Sequence, residues 1–390
     1  MLFYELTVWS VGFVAVLMLG GFVRRPVEEV GGFIVYRRSG HSDLTPRSSE
    51  FRRVLRWRSL KPVFDGVVVL SSRGAGNLER AAETARNAGA PLVVLVSGRT
   101  DVAEAGGLLE GVEHLVLDRW DHLPQAVLRT FRNPCALDRG DVSAKRNAGL
   151  VVARMLGWRT VLFVDDDVQR ITATELRRAA SLLAGADRGG APRRFVGWTF
   201  QECPDFSVVG HAHAQGDRAP VIFAGGGAMA MACGPDVPFF PPVYNEDVLV
   251  ELKIMQDDPD AVRVVGDLRQ DAYEPYSDPE KAASQEFGEF LLEAWRRNPS
   301  PDELGERGFW LSVLSDRKAL LAVAEQKLLR LDVREGVRAV RAARAAHRLD
   351  WPDSAMAFVE DWGHDEGTWA EFMRSLPAVG GLDRLRPVRR

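Results

Sequence analysis

Apolar and polar positions settle into a regular alternation from Lys61 onward. Residues 67–72 form a short β-branched run that predicts a strand, and 72–76 read as a turn. Residues 78–88 carry helical spacing and stop at Gly89, a suitable C-terminal cap. A second strand is expected at 91–97, a second helix at 102–109 and a third strand at 114–117. Ser143 is placed to cap a helix that runs to Leu156 and ends at Gly157. Residues 160–164 then make a fourth strand, tipped by Asp165-Asp166-Asp167. Strands alternating with helices of this size predict an α/β fold of right-handed βαβ units around a largely parallel sheet.

Past Ala191 the pattern changes to short strands at 195–200, 221–224 and 228–232, broken by Gly and Pro. From 279 to 347 it is nearly continuous helix. Residues 24–60 hold no sustained period and read as a connector, with a short strand at 33–36. The expected organisation is an apolar helix over 1–25, a connector over 26–60, an α/β catalytic domain over 61–278 and a helical C-terminal extension over 279–390.

Residues 6–23 are 18 positions without a charge, followed by Arg24 and Arg25. That length suits a membrane span of roughly 17–25 residues. Trp9 and Tyr4 fit one interface, and the arginines would hold the other end in the cytoplasm. On this reading the chain is anchored to the inner membrane and works at its cytoplasmic face. Thr7, Ser10 and the glycines support the other reading, a buried core helix. No basic segment precedes the run and no small-residue cleavage site follows it, which argues against a removable signal peptide.

Charge narrows the partners. A formal net charge of -4 and a pI near 6.1 argue against nucleic acid, whose binders are usually basic overall. Cys135, Cys203 and Cys233 are too few and too scattered for a disulfide framework or a zinc site. Arg334, Arg338, Arg341, Arg344 and Arg348 repeat at three and four residues, a basic stripe that suits either an anionic lipid surface or a solvated helix face.

The chemistry concentrates in three places. Asp165-Asp166-Asp167 follow four apolar strand residues, so their charges are costly unless compensated. Alternation along a strand puts Asp165 and Asp167 on one face and turns Asp166 away. Paired carboxylates suit a hard divalent cation bound jointly with substrate phosphates. Lys145, Arg146 and Asn147 lie near the start of the preceding helix, where cations oppose the macrodipole unless an anion docks nearby. Gly225-Gly226-Gly227 would let the backbone approach a ligand closely. Glu246-Asp247 opens an apolar helix, and one of this pair could remove a proton from a hydroxyl.

In this order, these elements resemble the GT-A fold glycosyltransferases of the family-2 type, over roughly residues 61–271. The resemblance implies a Rossmann-like nucleotide-diphospho-sugar transferase domain with a D-x-D metal site. Its cofactor would be Mn2+ or Mg2+, with Asp167 and Asp165 as ligands. It implies a nucleotide-diphosphate sugar donor lined by Asp165, Asp166, Lys145, Arg146, Asn147, Ser71, Arg73 and Asp101, with Gly225, Gly226 and Gly227 flanking sugar and acceptor. Asp247 would be the catalytic base and Glu246 its support, in a displacement with inversion onto an acceptor hydroxyl, a lipid-linked one being one option. Two features depart from the family. Ser97-Gly98-Arg99-Thr100-Asp101 stands where base-reading aspartates are expected. Asp267, Gln270 and Asp271 stand where a later histidine ligand is expected, and His211 and His213, sharing a strand face, are a second option for that ligand. Two alternatives stay open: a nucleotide-sugar mutase of the reversibly glycosylated polypeptide type, and a binding relative without turnover. Nucleotidyltransferases fit less well, because the loop after the first strand lacks their Thr-Arg ending. A dehydrogenase fits poorly, since Glu79 replaces the third glycine of its fingerprint.

Overall fold

The structure, a computed structural model, describes residues 26–30, 33–36, 62–118, 128–135, 141–186, 192–200, 207–214, 224–272 and 274–387. The apolar run at 6–23 and most of the connector lie outside them. Among the described residues no helix is long and apolar enough to cross a membrane.

Seven strands form the central sheet: β3 (Gly66–Ser71), β4 (Leu92–Val96), β5 (His114–Leu117), β6 (Thr160–Asp165), β7 (Phe195–Phe200), β8 (Gly225–Ala232) and β9 (Val262–Leu268). Their order is β5-β4-β3-β6-β8-β7-β9. β5, β4, β3 and β6 run parallel. β8 is antiparallel to β6 and to β7, and β9 is parallel to β7. A second sheet joins β1 (Pro26–Val30), β2 (Phe33–Tyr36) and β10 (Leu385–Pro387). The strand expected at 33–36 is therefore present, paired on one side with β10.

Alternate strand residues feed two cores, the usual consequence of a side-chain period of two in a sheet covered on both faces. Val67, Val69, Val94 and Leu162 pack beneath α1 (Leu78–Ala88), α2 (Val102–Leu108) and α4 (Ala173–Leu183). Val68, Leu70, Val93 and Phe163 face α3 (Val142–Leu156) and the helices that follow. α3 lies unusually close to the sheet: a Cβ on Gly149 would stand 2.8 Å from the Phe163 ring and 2.9 Å from Val68. That approach brings Lys145 and Arg146 under the strand tips.

After α5 (Val208–Ala214) and α6 (Glu246–Asp257), the C-terminal part is α7 (Pro279–Trp295), α8 (Pro301–Leu304), α9 (Arg307–Arg330), α10 (Arg334–Ala346) and α11 (Trp351–Ser375). The expected continuous helix is thus cut at 296–300, 305–306 and 331–333. Phe287, Phe290, Trp310, Trp351, Phe358, Trp362 and Trp369 join the same core as Phe163, Met229 and Phe240. These helices thus share an apolar core with one face of the sheet.

Candidate active site

β3 is followed through α1 by β4 on one side, and β6 comes back to pair on its other side. Crossovers that leave in opposite directions open a crevice beyond the carboxyl ends of two adjacent strands, the usual ligand site of such sheets. Ser71 ends β3 and Asp165 ends β6, so the acidic triplet stands at this crevice.

The strand stops at Asp165, and the next two residues turn, with Val168 N–H donating back to the Asp165 carbonyl at 3.2 Å. The segment after β9 pins the turn: Gln169 N–H donates to Arg269 O at 2.8 Å and Asp271 N–H to Asp167 O at 2.9 Å. The alternation expected for the triplet therefore ends at its first member. Asp166 and Asp167 both meet Arg73, while Asp165 meets Arg146.

Each acid has a separate set of neighbours. Asp166 accepts from Ser71 Oγ at 2.9 Å, and Ser71 Oγ lies 3.1 Å from Thr100 Oγ1. Asp167 takes hydrogen bonds from Arg73 and, at 2.6 Å, from Gln270 Nε2. Arg73 is 53% exposed while both acids are nearly covered, so its guanidinium lies between them and solvent. Asp165 stands 3.5 Å from Arg146 Nη2. Burial pushes the Asp165 carboxyl up to about 7; Arg146 opposes this, and Asp167, Asp166 and Asp247 add to it. Negative charge is in excess here.

Lys145, Arg146 and Asn147 are all buried. Ser143 does not cap α3: it lies inside the helix and donates to Pro241 O at 2.8 Å, and Asp141 is the N-cap residue. Lys145 Nζ reaches Ser71 O at 3.0 Å, Ser97 Oγ at 2.7 Å and Asp141 at 2.9 Å, tying the ends of β3 and β4 together. Burial lowers its pKa, against Asp141 and the acidic turn. Arg146 bonds Glu246 and the Gly226 carbonyl at 2.8 Å, with its guanidinium over Phe240. Asn147 exchanges two 2.8 Å bonds with the Phe240 backbone. This use of Asn147 is structural, with both ends of its amide engaged by that backbone.

The glycine run forms the start of β8, and the ladder between β7 and β8 shifts register at Gly197/Trp198. The strand expected at 221–224 lies outside the described residues except for Ala224. Cβ atoms at Gly225 and Gly227 would stand 2.7 and 2.8 Å from the Phe200 ring. One at Gly226 would fall on the Asp247 carboxylate, 2.7 Å from its Cγ, and 2.9 Å from Arg146 Nη2. The glycines make room for protein side chains, and Gly226 lets Asp247 sit against the sheet. Glu246 is buried against Arg146, while Asp247 is partly exposed.

Other sequence candidates lie elsewhere. Asp101 caps α2, accepting from Ala103 and Glu104 N–H at 2.9 Å, and is exposed. Gln270 reaches the acidic turn, Asp271 forms a 2.8 Å pair with Arg80, and Asp267 bonds Thr199. His211 and His213 fall in helix α5, not in the strand expected for them. Among the described residues no group of three or more His, Cys, Asp or Glu is arranged to hold a metal by itself. The basic stripe is internally paired: Arg341 and Arg344 with Glu325, Arg338 with Glu335, Arg334 with Asp332 and Arg348 with Asp350.

Sequence reasoning missed Glu251. It lies one helical turn beyond Asp247, is 4% exposed, and its Oε2 has no hydrogen-bond partner. Burial raises it to about 8, with Asp247 adding and the Ala224 backbone opposing. The spacing of four from Asp247 was the available signal.

No protein-family model matches the chain, and no curated protein matches it. Among solved structures, it is similar to glucosyl-3-phosphoglycerate synthase from Mycobacterium tuberculosis in complex with phosphoglyceric acid. Identity is 14%, coverage is 64% of this chain and 85% of that chain, and the TM-score is 0.40. The complex of that enzyme with Mn2+ and UDP-glucose gives 14% identity, 64% and 83% coverage, and a TM-score of 0.39. A mycobacterial protein gives 15%, 64% and 79%, and 0.39. The likeness is distant.

Proposed function

We propose that this chain is a GT-A glycosyltransferase that moves a sugar from a nucleotide-diphosphate donor to an acceptor hydroxyl, with inversion. The observation that carries the reading is the convergence at one sheet crevice of Asp165, Asp166, Asp167, Glu246 and Asp247 around Arg73 and Arg146. The acids outnumber the bases, and the donor set is oxygen. Such a set suits Mn2+ or Mg2+, which usually take one or two carboxylates and complete their shell with phosphate and water. Asp165 and Asp167 would hold the ion together with the donor. When bound, it would neutralise charge on the leaving diphosphate.

The chain's own groups supply the rest. Arg73, half exposed above the acids, is within reach of a diphosphate entering from solvent. Arg146 fixes Glu246, which leaves Asp247 as the accessible carboxylate to take the acceptor's proton. Lys145 holds the floor of the crevice by joining the ends of β3 and β4.

The test is a screen of nucleotide sugars for transfer or hydrolysis in the presence of Mn2+ or Mg2+. The reading expects release of a nucleoside diphosphate that stops with chelator. Release of nucleoside monophosphate, or no turnover with any donor, would contradict it.

A further inference from the structure

The turn that delivers Glu246 and Asp247 is unusual for a helix start. An N-cap residue normally adopts an extended backbone and caps the helix with its side chain. Asn245 instead has φ 65 and ψ 26, in the left-handed region, and makes no side-chain cap bond. Its carbonyl still accepts the first helical bond, from Leu249 N–H at 2.9 Å. Asn tolerates this region better than most residues, yet such conformations persist only where the surroundings over-determine them.

The surroundings here are the C-terminal helices. Asn245 Nδ2 donates to Glu289 Oε1 of α7 at 3.0 Å. On the same turn of α7, a Cβ at Gly288 would fall on the Tyr244 carbonyl, 2.8 Å from its carbon, and 2.9 Å from the Tyr244 backbone nitrogen. The helix therefore lies directly against the backbone of the turn. Glu289 is held in turn by Arg317 of α9 at 3.2 Å. Arg317 also bonds Glu286 at 2.6 and 3.1 Å, and Glu286 meets His347 Nε2, just past α10, at 2.9 Å. Glu286, Glu289, Arg317 and the His347 ring are all buried. A buried charge network is a costly way to join helices, and apolar residues would often serve stability as well. One end of this network is the residue preceding the acid pair.

We propose that Gly288 and Glu289 are positioning residues that aim Asp247 through the Tyr244-Asn245 turn, so that the C-terminal helices are a working part of the catalytic site. This rests on reading Asp247 as the base. Displacing α6 by a fraction of a turn moves the carboxylate against the acceptor but leaves Asp165 and Asp167, carried at the end of β6, in place.

The experiment measures steady-state transfer, donor affinity by calorimetry and amide exchange over 245–250 for Glu289→Ala, Glu289→Gln and Gly288→Ala. A misplacement near 1 Å can cost on the order of a hundredfold in rate. Glu289→Ala and Gly288→Ala are therefore expected to lower kcat at least about tenfold with donor affinity within about twofold, and to speed exchange over 245–250. Glu289→Gln keeps an acceptor for the Asn245 amide and is expected to recover most of the rate. A fall in melting temperature with kcat and local exchange unchanged would overturn the proposal and leave a purely structural network. If the wild-type chain transfers no sugar, the functional reading fails separately. The exchange arm still decides whether α7 fixes this turn.

Discussion

Replacing Arg146 tests whether one buried cation holds the two halves of the site together. The side chain is 2% exposed, bonds Glu246 and the Gly226 carbonyl, stands 3.5 Å from Asp165 and lies over Phe240 at 5.6 Å. Arg146→Met keeps much of the apolar stem and removes the charge. Glu246, itself 5% exposed, is then left without this partner. Removing one member of a buried pair typically costs about 3–5 kcal/mol, mostly because the other charge remains desolvated. The Glu246 carboxyl, short of its arginine, can lessen that cost by taking a proton. An acid whose folded pKa is raised loses its stabilising neutral form as pH rises, so the loss is expected near the full range at pH 8 and markedly less at pH 5. Denaturant midpoints of both proteins at the two pH values measure it. A loss below about 1 kcal/mol at pH 8, or one that does not change with pH, would refute the reasoning. Arg146→Lys should recover only part of the loss, because an ammonium cannot reach Glu246, Gly226 O and Asp165 with one planar fork.

Three further outcomes follow from the same geometry. Asp247→Asn keeps size and removes the basic site; donor binding and folding should stay near wild type while transfer falls at least about a hundredfold, read by product formation. Gly226→Ala drives a methyl onto the Asp247 carboxylate, and is expected to cost about 1–3 kcal/mol in the melt and to depress transfer as well. Glu251 is raised from 4.5 to about 8 chiefly by burial, so wild-type stability should decline between pH 4.5 and 8 by up to roughly 5 kcal/mol relative to Glu251→Gln, which does not titrate. Parallel pH-stability curves for the two proteins would contradict that assignment.

The first half of the sheet was readable because its determinants are local. Val67 to Leu70 and Val161 to Val164 are uninterrupted apolar runs that bury both faces, and Gly89 and Gly157 do end helices in the left-handed conformation. The acids at the tip of β6 were legible for the same reason. What escaped depends on partners far away in sequence. Lys145 and Arg146 are expected along the nucleotide, until Ser71, Ser97, Gly226 and Glu246 are brought to them. The glycine run suggests close approach to a ligand until Phe200 and Asp247 are found in the space it leaves. The arginine stripe of α10 suits an anionic surface or a solvated face, and only the fold shows that Glu325 on α9 takes two of its members. The face expected for Asp166 failed because the strand ended one residue earlier than the alternation assumed.

On the proposed function, Asp165 to Asp167 bind a nucleotide diphosphate together with a divalent cation. Calorimetric titration of UDP and GDP into the full chain, with Mn2+ and with chelator, tests it most directly when repeated on Asp167→Ala. Metal-dependent binding of at least one of these nucleotides is expected, weakened at least about tenfold in the variant, the scale of one lost charge-assisted contact. Binding that is indifferent to metal and unchanged in Asp167→Ala would contradict it.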